Sequence, residues 1–276
     1  MPIIDDLKKQ YWALLSKKKR YWALVRERRH KAVLKNSGYC STCAQDVTFI
    51  ARDPWLRDHY RCSNCGSIPR ERALMQTIGT FFPNWRTLTI HESSPANRGA
   101  SKRLSQECPQ YIPSQFFSDR ERGSINGRFR CENLEALTFA DESIDLHVTQ
   151  DVLEHVFHPS KVFSEIARTL KPGGAHIFTV PIVNKDEPSA LRARVDDGGQ
   201  ISYIKPPIYH GNPISDKGSL VTVDWGFDIC RYNFDSCGLF THIFQIDDLS
   251  KGIRAEYIEV LITVKSRTPA TQHEIP

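Results

Sequence analysis

The stretch Ile144-Asp-Leu-His-Val-Thr-Gln-Asp-Val-Leu-Glu-His-Val156 decides how this chain folds. Residues 144–148 form an apolar run of strand length. Thr149, Gln150 and Asp151 turn it polar, and an amphipathic stretch then leads to Leu170. Lys171-Pro-Gly-Gly174 stops that stretch, and a second apolar run covers 175–180. Strand, loop, helix, turn, strand is one βαβ unit, which predicts an α/β fold built on a parallel sheet. Such sheets bind ligands just beyond the carboxyl ends of their strands, so Gln150 and Asp151 sit where a ligand can be reached.

The composition agrees with that architecture. At 276 residues, 40% hydrophobic and 25% charged, the chain can bury one large core and carry a small module beside it. Its apolar runs are strand-sized, which predicts no membrane span, and residues 1–35 lack the apolar core of a secretory signal. A cytoplasmic protein is expected. The net charge of +5 is uneven: residues 1–35 hold 11 Lys/Arg against 3 Asp/Glu, a net of +8, and the remainder is −3. Attraction to polyanions therefore belongs to the N-terminal arm.

Four of the eight cysteines are spaced as C-x2-C-x18-C-x2-C: Cys40, Cys43, Cys62 and Cys65. Two such knuckles flanking a hairpin-length loop present four thiolates to one tetrahedral ion, and the closed set predicts a structural Zn2+. Residues 47–51 and 57–61 are the expected strands of that hairpin. The remaining cysteines, Cys108, Cys131, Cys230 and Cys237, have no ligand spacing and read as small core residues.

Four regions follow in order. Residues 1–37 read as a basic helix bearing the repeat Tyr11-Trp-Ala-Leu and Tyr21-Trp-Ala-Leu, either a nucleic-acid arm or an amphipathic helix packed on the body. Residues 38–68 are the ribbon. Residues 69–265 are the main domain, opened by a helix at Pro69 whose Arg70 and Arg72 face either the ribbon or the site. The Pro/Gly-rich stretch 181–220 is too long for a plain connection and reads as a lid. Two strands after a short helix, near 240–247 and 257–265, can pair antiparallel at the sheet edge. Residues 266–276 read as a disordered tail.

The segments Glu92 with its loop, Cys131-Glu-Asn-Leu134, Ser143-Ile-Asp-Leu146, Gln150-Asp-Val-Leu-Glu-His155 and Leu170-Lys-Pro-Gly-Gly174 resemble, in this order, the class I S-adenosylmethionine-dependent methyltransferases. They are most similar to the type 11-like group that shares Val-Leu-Glu-His with ubiquinone-type methyltransferases. The likeness spans residues 85–180 and, more loosely, 220–265. Cys65-Gly-Ser-Ile-Pro-Arg-Glu-Arg72 further looks like a bacterial subfamily with a cysteine ribbon ahead of this domain. The resemblance implies a Rossmann-like, mostly parallel sheet with helices on both faces, S-adenosyl-L-methionine as cofactor, and methyl transfer as activity.

The resemblance also implies roles. Glu92 matches the acid closing the first strand, with Ser93, Ser94 and Pro95 where glycines are usual. Ser114 and Gln115 fall where a ribose-binding acid is usual, and neither is acidic. Glu132, Asn133 and Leu134 match the adenine-flanking segment. Gln150 and Asp151 match the positions beside the methionine and the sulfonium. His155, four residues after Asp151 and on one helix face with it, is a candidate base, or an interior histidine bonded to backbone. In the lid, His210 is the alternative base and Tyr203 and Tyr209 are substrate candidates.

Three functions are compatible with these residues. One is methyl transfer to a hydroxyl of a small molecule or glycan. Another is RNA methylation, with residues 1–35 and the ribbon gripping phosphates. The third is a non-catalytic interaction protein. Within the ribbon Arg52, Arg57 and Arg61 are cancelled by Asp46, Asp53 and Asp58, which favours the small acceptor.

Overall fold

The computed structural model describes residues 32–212 and 215–267. Most of the expected basic helix and of the expected tail lies outside the described residues. Within them, the first element is a strand: β1 (Leu34–Cys40) pairs antiparallel with β2 (Gln45–Ala51). Residues 34–37, expected as the end of the basic helix, therefore lie inside the ribbon sheet. The expected strand over 57–61 is also corrected. A single-turn helix, α1 (Leu56–His59), precedes a two-residue strand, β3 (Arg61–Cys62), on the far side of β2. Asp53 accepts from the Trp55 N–H at 2.8 Å, and Asp58 accepts from the Trp55 indole at 2.8 Å. Such local bonds compete with a sheet ladder and fold the segment into a turn.

Helix α2 (Pro69–Phe81) leads into the main domain. Proline suits its first position, Glu71 accepts from the Ile68 N–H at 3.0 Å, and the helix stops before Pro83. The chain continues through β4 (Ile90–Ser93), α3 (Gly99–Glu107), β5 (Tyr111–Gln115), β6 (Ile125–Asn126), β7 (Phe129–Cys131), β8 (Ile144–Gln150), α4 (Pro159–Thr169) and β9 (Leu170–Thr179). Seven short strands follow: β10 (Ile182–Asn184), β11 (Ala190–Leu191), β12 (Ala193–Val195), β13 (Ile201–Tyr203), β14 (Tyr209–Asn212), β15 (Ser215–Leu220) and β16 (Val223–Gly226). Helix α5 (Ile229–Cys237) and strands β17 (Thr241–Phe244) and β18 (Val260–Val264) end the domain.

The main sheet has the order β17-β18-β9-β8-β4-β5-β7-β6. Strands β9, β8, β4, β5 and β7 run parallel, β18 and β6 run against them, and β17, antiparallel to β18, runs the same way as β9. This is the expected Rossmann-like mixed sheet, with the last two strands at its edge. Its two faces bury different helices. Ile177 and Ile262 pack with Leu74, Ile78 and Leu104 of α2 and α3, whereas Phe178 and Leu261 pack with Val162, Phe163 and Ile166 of α4. Successive residues of one strand enter opposite cores, which is why all of 175–180 is buried, Ala175, Ile177, Phe178 and Val180 as apolar side chains.

Two boundaries differ from expectation. The helix after β8 begins at Pro159, not at Asp151. Asp151 adopts a left-handed φ of +53°, and Glu135 Oε1 accepts from the Phe157 and His158 N–H groups at 2.9 and 3.0 Å, holding 151–158 as a loop. Strand β9 begins at Leu170, so Lys171-Pro-Gly-Gly174 is its irregular start, where β8 and β9 shift register. A side chain on Gly174 would meet the Asp145 carbonyl at 2.7 Å. Among the described residues, no helix is long and apolar enough to cross a membrane.

The ribbon is fastened to this body. Asn36 Nδ2 donates to Leu249 O at 2.6 Å, and a Cβ on Gly38 would stand 1.9 Å from Ser250 O. Arg72, wholly buried, donates to carbonyls on both sides: Ser67, Tyr60 at 2.8 Å, and Gly252 at 2.5 and 3.0 Å.

Candidate active site

Strand β4 is bordered by β5 on one side and β8 on the other, and the chain reverses its direction of winding between β4 and β8. A cavity of about 780 Å3 opens at the carboxyl ends of these strands. Ser94, Asn97 and Arg98 line it from the loop after β4, Gln115 from the end of β5, and Gln150, Asp151 and His155 from β8 and its loop. His210 and Gly211 come from the lid, and Trp55, Arg57 and Asp58 from the ribbon.

At the floor, Glu92 is fully buried. Its carboxylate accepts from Ser101 Oγ at 2.6 Å, Gln150 Nε2 at 2.8 Å and the Tyr111 hydroxyl at 2.8 Å. Burial pushes its carboxyl up, and the three donors oppose that shift. Glu92 thus ties β4, β5, α3 and Gln150 together beneath the cavity. Ser94 adopts φ +53°, a conformation in which glycine is unstrained, so a serine has taken the turn without relaxing its shape. Gly99 fills the next tight position: a Cβ there would stand 2.2 Å from Glu71 Oε2.

Asp151 is a junction between the modules. Its Oδ2 accepts from Arg57 Nη2 at 2.7 Å and forms an ion pair with Arg70 Nε at 3.0 Å, and its Oδ1 accepts from Thr179 Oγ1 at 3.0 Å. Against the effect of burial, Arg70, Arg57 and Thr179 hold its carboxyl below the usual carboxylate range. Asp58 reaches Arg70 at 3.2 Å, and Glu71 reaches Arg98 at 3.0 Å. Three arginines thus face three carboxylates along one wall, and the wall carries no net charge. Arg70 is therefore a site residue and Arg72 a ribbon fastener.

The remaining sequence candidates divide. Gln115, Gln150, Asp151, Ser94, His155 and His210 line the cavity. Ser93 is buried in β4, and the Ser114 hydroxyl is taken by His91 Nε2 at 2.7 Å. Glu132 does not present a free carboxylate for an adenine amine: Arg130 Nε at 2.6 Å, Thr138 N at 2.9 Å and Thr138 Oγ1 at 2.5 Å occupy it. Asn133 accepts from the Glu135 N–H at 2.9 Å in a local turn, and Leu134 lies in the core. Tyr203 and Tyr209 lie outside the cavity, half exposed, with hydroxyls 3.4 Å apart. Adjacent strand residues point to opposite faces, so His210 turning inward sends Tyr209 outward. Asp151 and His155 do not share a helix face, because no helix forms there. The ribbon's share of the wall, Trp55 and Arg57, has no local sequence signal; it depends on how the ribbon docks.

At the cavity wall, the loop after β8 carries a second cluster. His155 Nδ1 donates to Leu220 O at 2.8 Å, which leaves Nε2 as the lone-pair nitrogen. Its ring meets that of His210 edge to face, with centroids 5.2 Å apart. Glu154 Oε1 lies 3.7 Å from His155 Nε2 and 3.8 Å from His210 Nδ1. The lid is anchored here, since Glu154 O accepts from the Thr222 N–H at 2.7 Å.

In the ribbon, Sγ of Cys40 lies 3.8 Å from that of Cys65, and Sγ of Cys43 lies 3.9 Å from that of Cys62. Four sulfurs each ~2.3 Å from a tetrahedral ion stand ~3.8 Å apart, so the cluster fits zinc. Among the described residues the cluster is consistent with a zinc ribbon.

Residues 110–178 match the family described as "Methyltransferase domain". A 50-residue segment is 42% identical to dimethylglycine N-methyltransferase of Parasynechococcus marenigrum, covering 18% of this chain and 18% of that protein. Among solved structures, an S-adenosylmethionine-dependent methyltransferase from Mesorhizobium loti is similar, with 15% identity and a TM-score of 0.45, covering 70% of this chain and 97% of that one. Another from Methanosarcina mazei has 16% identity and a TM-score of 0.39, covering 67% and 97%.

Proposed function

We propose, for a chain that belongs to the class I S-adenosylmethionine-dependent methyltransferases, that it methylates a hydroxyl of a small molecule or glycan held between the cavity and the lid. The cavity suits the cofactor in size and lining: a mostly pre-formed cleft of a few hundred Å3 with convergent polar groups is what a nucleoside ligand requires. Gln115, Ser94 and Asn97 are available to its polar atoms, and Gln150 is held by Glu92 at the cleft floor. When bound, the cofactor supplies a methyl group already activated by a positive sulfur. The chain then needs to orient the acceptor, exclude water and take a proton.

The observation that carries the hydroxyl assignment is the His155–His210 pair at the cavity wall. An alcohol oxygen must lose its proton to attack carbon, and imidazoles are the side chains suited to that near neutral pH. The charge-balanced arginine wall supports an acceptor without a phosphate backbone. The RNA alternative rests on residues 1–35, most of which lie outside the described residues. An amine acceptor is the second reading, favoured by the N-methyltransferase relative.

Calorimetric titration with S-adenosylmethionine comes first: absence of binding sinks the enzyme reading. Transfer is then followed by mass spectrometry over matched alcohol and amine acceptors. Methylation confined to amines would replace the hydroxyl assignment.

A further inference from the structure

We infer that Glu154, His155 and His210 form a site for a divalent transition-metal ion at the wall of the cavity, separate from the four-cysteine cluster. The three donor atoms lie within 4.8 Å of one another. Two atoms each ~2.1 Å from a tetrahedral ion stand ~3.4 Å apart, so separations of 3.7 and 3.8 Å close onto an ion by a few tenths of an ångström.

The independent observation is the Glu154 carboxylate. Its side chain is 3% exposed, and neither oxygen has a hydrogen-bond partner. A buried carboxylate without donors is costly, and a cation between it and the two imidazoles removes that cost. The histidines are prepared for the role. His155 donates Nδ1–H to Leu220 O at 2.8 Å, the outer bond that fixes a ligating imidazole with Nε2 facing inward. His210 approaches from β14, whose neighbour β15 supplies that carbonyl, so one hairpin delivers one ligand and orients another. Two imidazoles and one carboxylate select a first-row divalent ion over Mg2+ or Ca2+.

His155 and His210 line the cavity, so the ion would keep open positions toward it. An oxygen donor of the acceptor takes one of them. With the ion bound both imidazole lone pairs would be taken, so the ion would replace the imidazoles as the group that makes a hydroxyl placed there acidic, and its proton would leave to water at the cavity mouth. This part of the inference rests on the methyl-transfer reading; the binding of the ion does not.

The test uses the full chain with its ribbon metal in place, titrated with Co2+. One further equivalent is expected, with visible bands that lack thiolate-to-cobalt charge transfer. His210→Ala weakens it at least tenfold; His210 is 44% exposed, so this variant keeps its fold. Glu154→Gln has the same effect. No further equivalent, a further equivalent bearing the thiolate signature, or one untouched by either substitution overturns the site. S-adenosylmethionine titration of the same samples separates the two proposals. Cobalt bound without cofactor leaves the ion site standing and removes the methyltransferase reading. Cofactor bound and turned over without the ion does the reverse.

Discussion

Asp151 shows how one residue can carry two duties. Its backbone is strained at φ +53°, and its carboxylate joins Arg57 of the ribbon and Arg70 of α2 to Thr179 of β9. Removing the charge strands two poorly exposed guanidiniums. Asp151→Asn is expected to destabilise the protein by about 3 kcal/mol. Paired with Arg70→Gln in a double-mutant cycle, it should show a coupling of about 1–3 kcal/mol in urea denaturation. A coupling near zero would mean the carboxylate does not hold the modules together.

Three other residues make a second prediction at this scale. His91, His147 and His176 stand side by side on β4, β8 and β9, all fully buried. His91 and His147 share a hydrogen bond at 2.8 Å, and His176 stacks on Phe178 at 4.2 Å. Burial, with Arg130 adding, pushes His91 down to about 3; burial and His91 push His176 down to about 3; His147 is also pushed far below the ordinary histidine value. These rings stay neutral in the fold, while the unfolded chain takes up their protons below about pH 6.5. Their contribution is therefore fully present above that pH and declines as pH falls toward 3, by up to ~1.4 kcal/mol per pH unit for each histidine. Urea midpoints at pH 7, 6 and 5 should fall steadily; a flat profile would contradict buried neutral rings.

At the scale of elements, the ribbon is held from inside and outside. Arg72 lies over the rings of Phe49 and Tyr60 at 4.7 and 5.4 Å. Its hydrogen-bond acceptors are carbonyls and a serine hydroxyl, and Cys40, Cys62, Tyr60 and Cys65 oppose the downward shift that burial imposes. Four thiolates around a divalent ion leave two negative charges, which gives this buried cation its counterpart. The cluster should therefore hold one zinc per chain by elemental analysis, and Cys62→Ser should lose it together with ordered β1–β3 structure. A full zinc equivalent in that variant would show that the four cysteines do not act as one set.

At the scale of the whole molecule, the ribbon is part of the cavity. Trp55, Arg57 and Asp58 form one side of it, so the cavity is complete only when the small module is docked. Stripping the ribbon metal with a chelator is expected to weaken S-adenosylmethionine binding at least tenfold, with recovery on adding zinc. Unchanged affinity would mean that the wall keeps its shape without the metal. The parallel sheet alone offers the floor: Glu92, Gln115 and Gln150 are placed by strand ends whatever the ribbon does.

The sequence by itself determined the sheet, the four-cysteine set and the strand-end residues, because apolar period, ligand spacing and strand termini are local properties of the chain. It placed Glu92, Gln150 and Asp151 at the ends of the right strands and foresaw the antiparallel edge near residues 240–265. It misplaced the helix after β8, since the anchor that keeps 151–158 a loop is Glu135, some twenty residues away. Only the tertiary structure decided that Arg57 and Arg70 neutralise Asp151, that Thr138 and Arg130 occupy Glu132, and that Glu154 faces two histidines from separate segments. Each is a contact between parts of the chain brought together by docking, and the distance between them in sequence leaves no pattern to read.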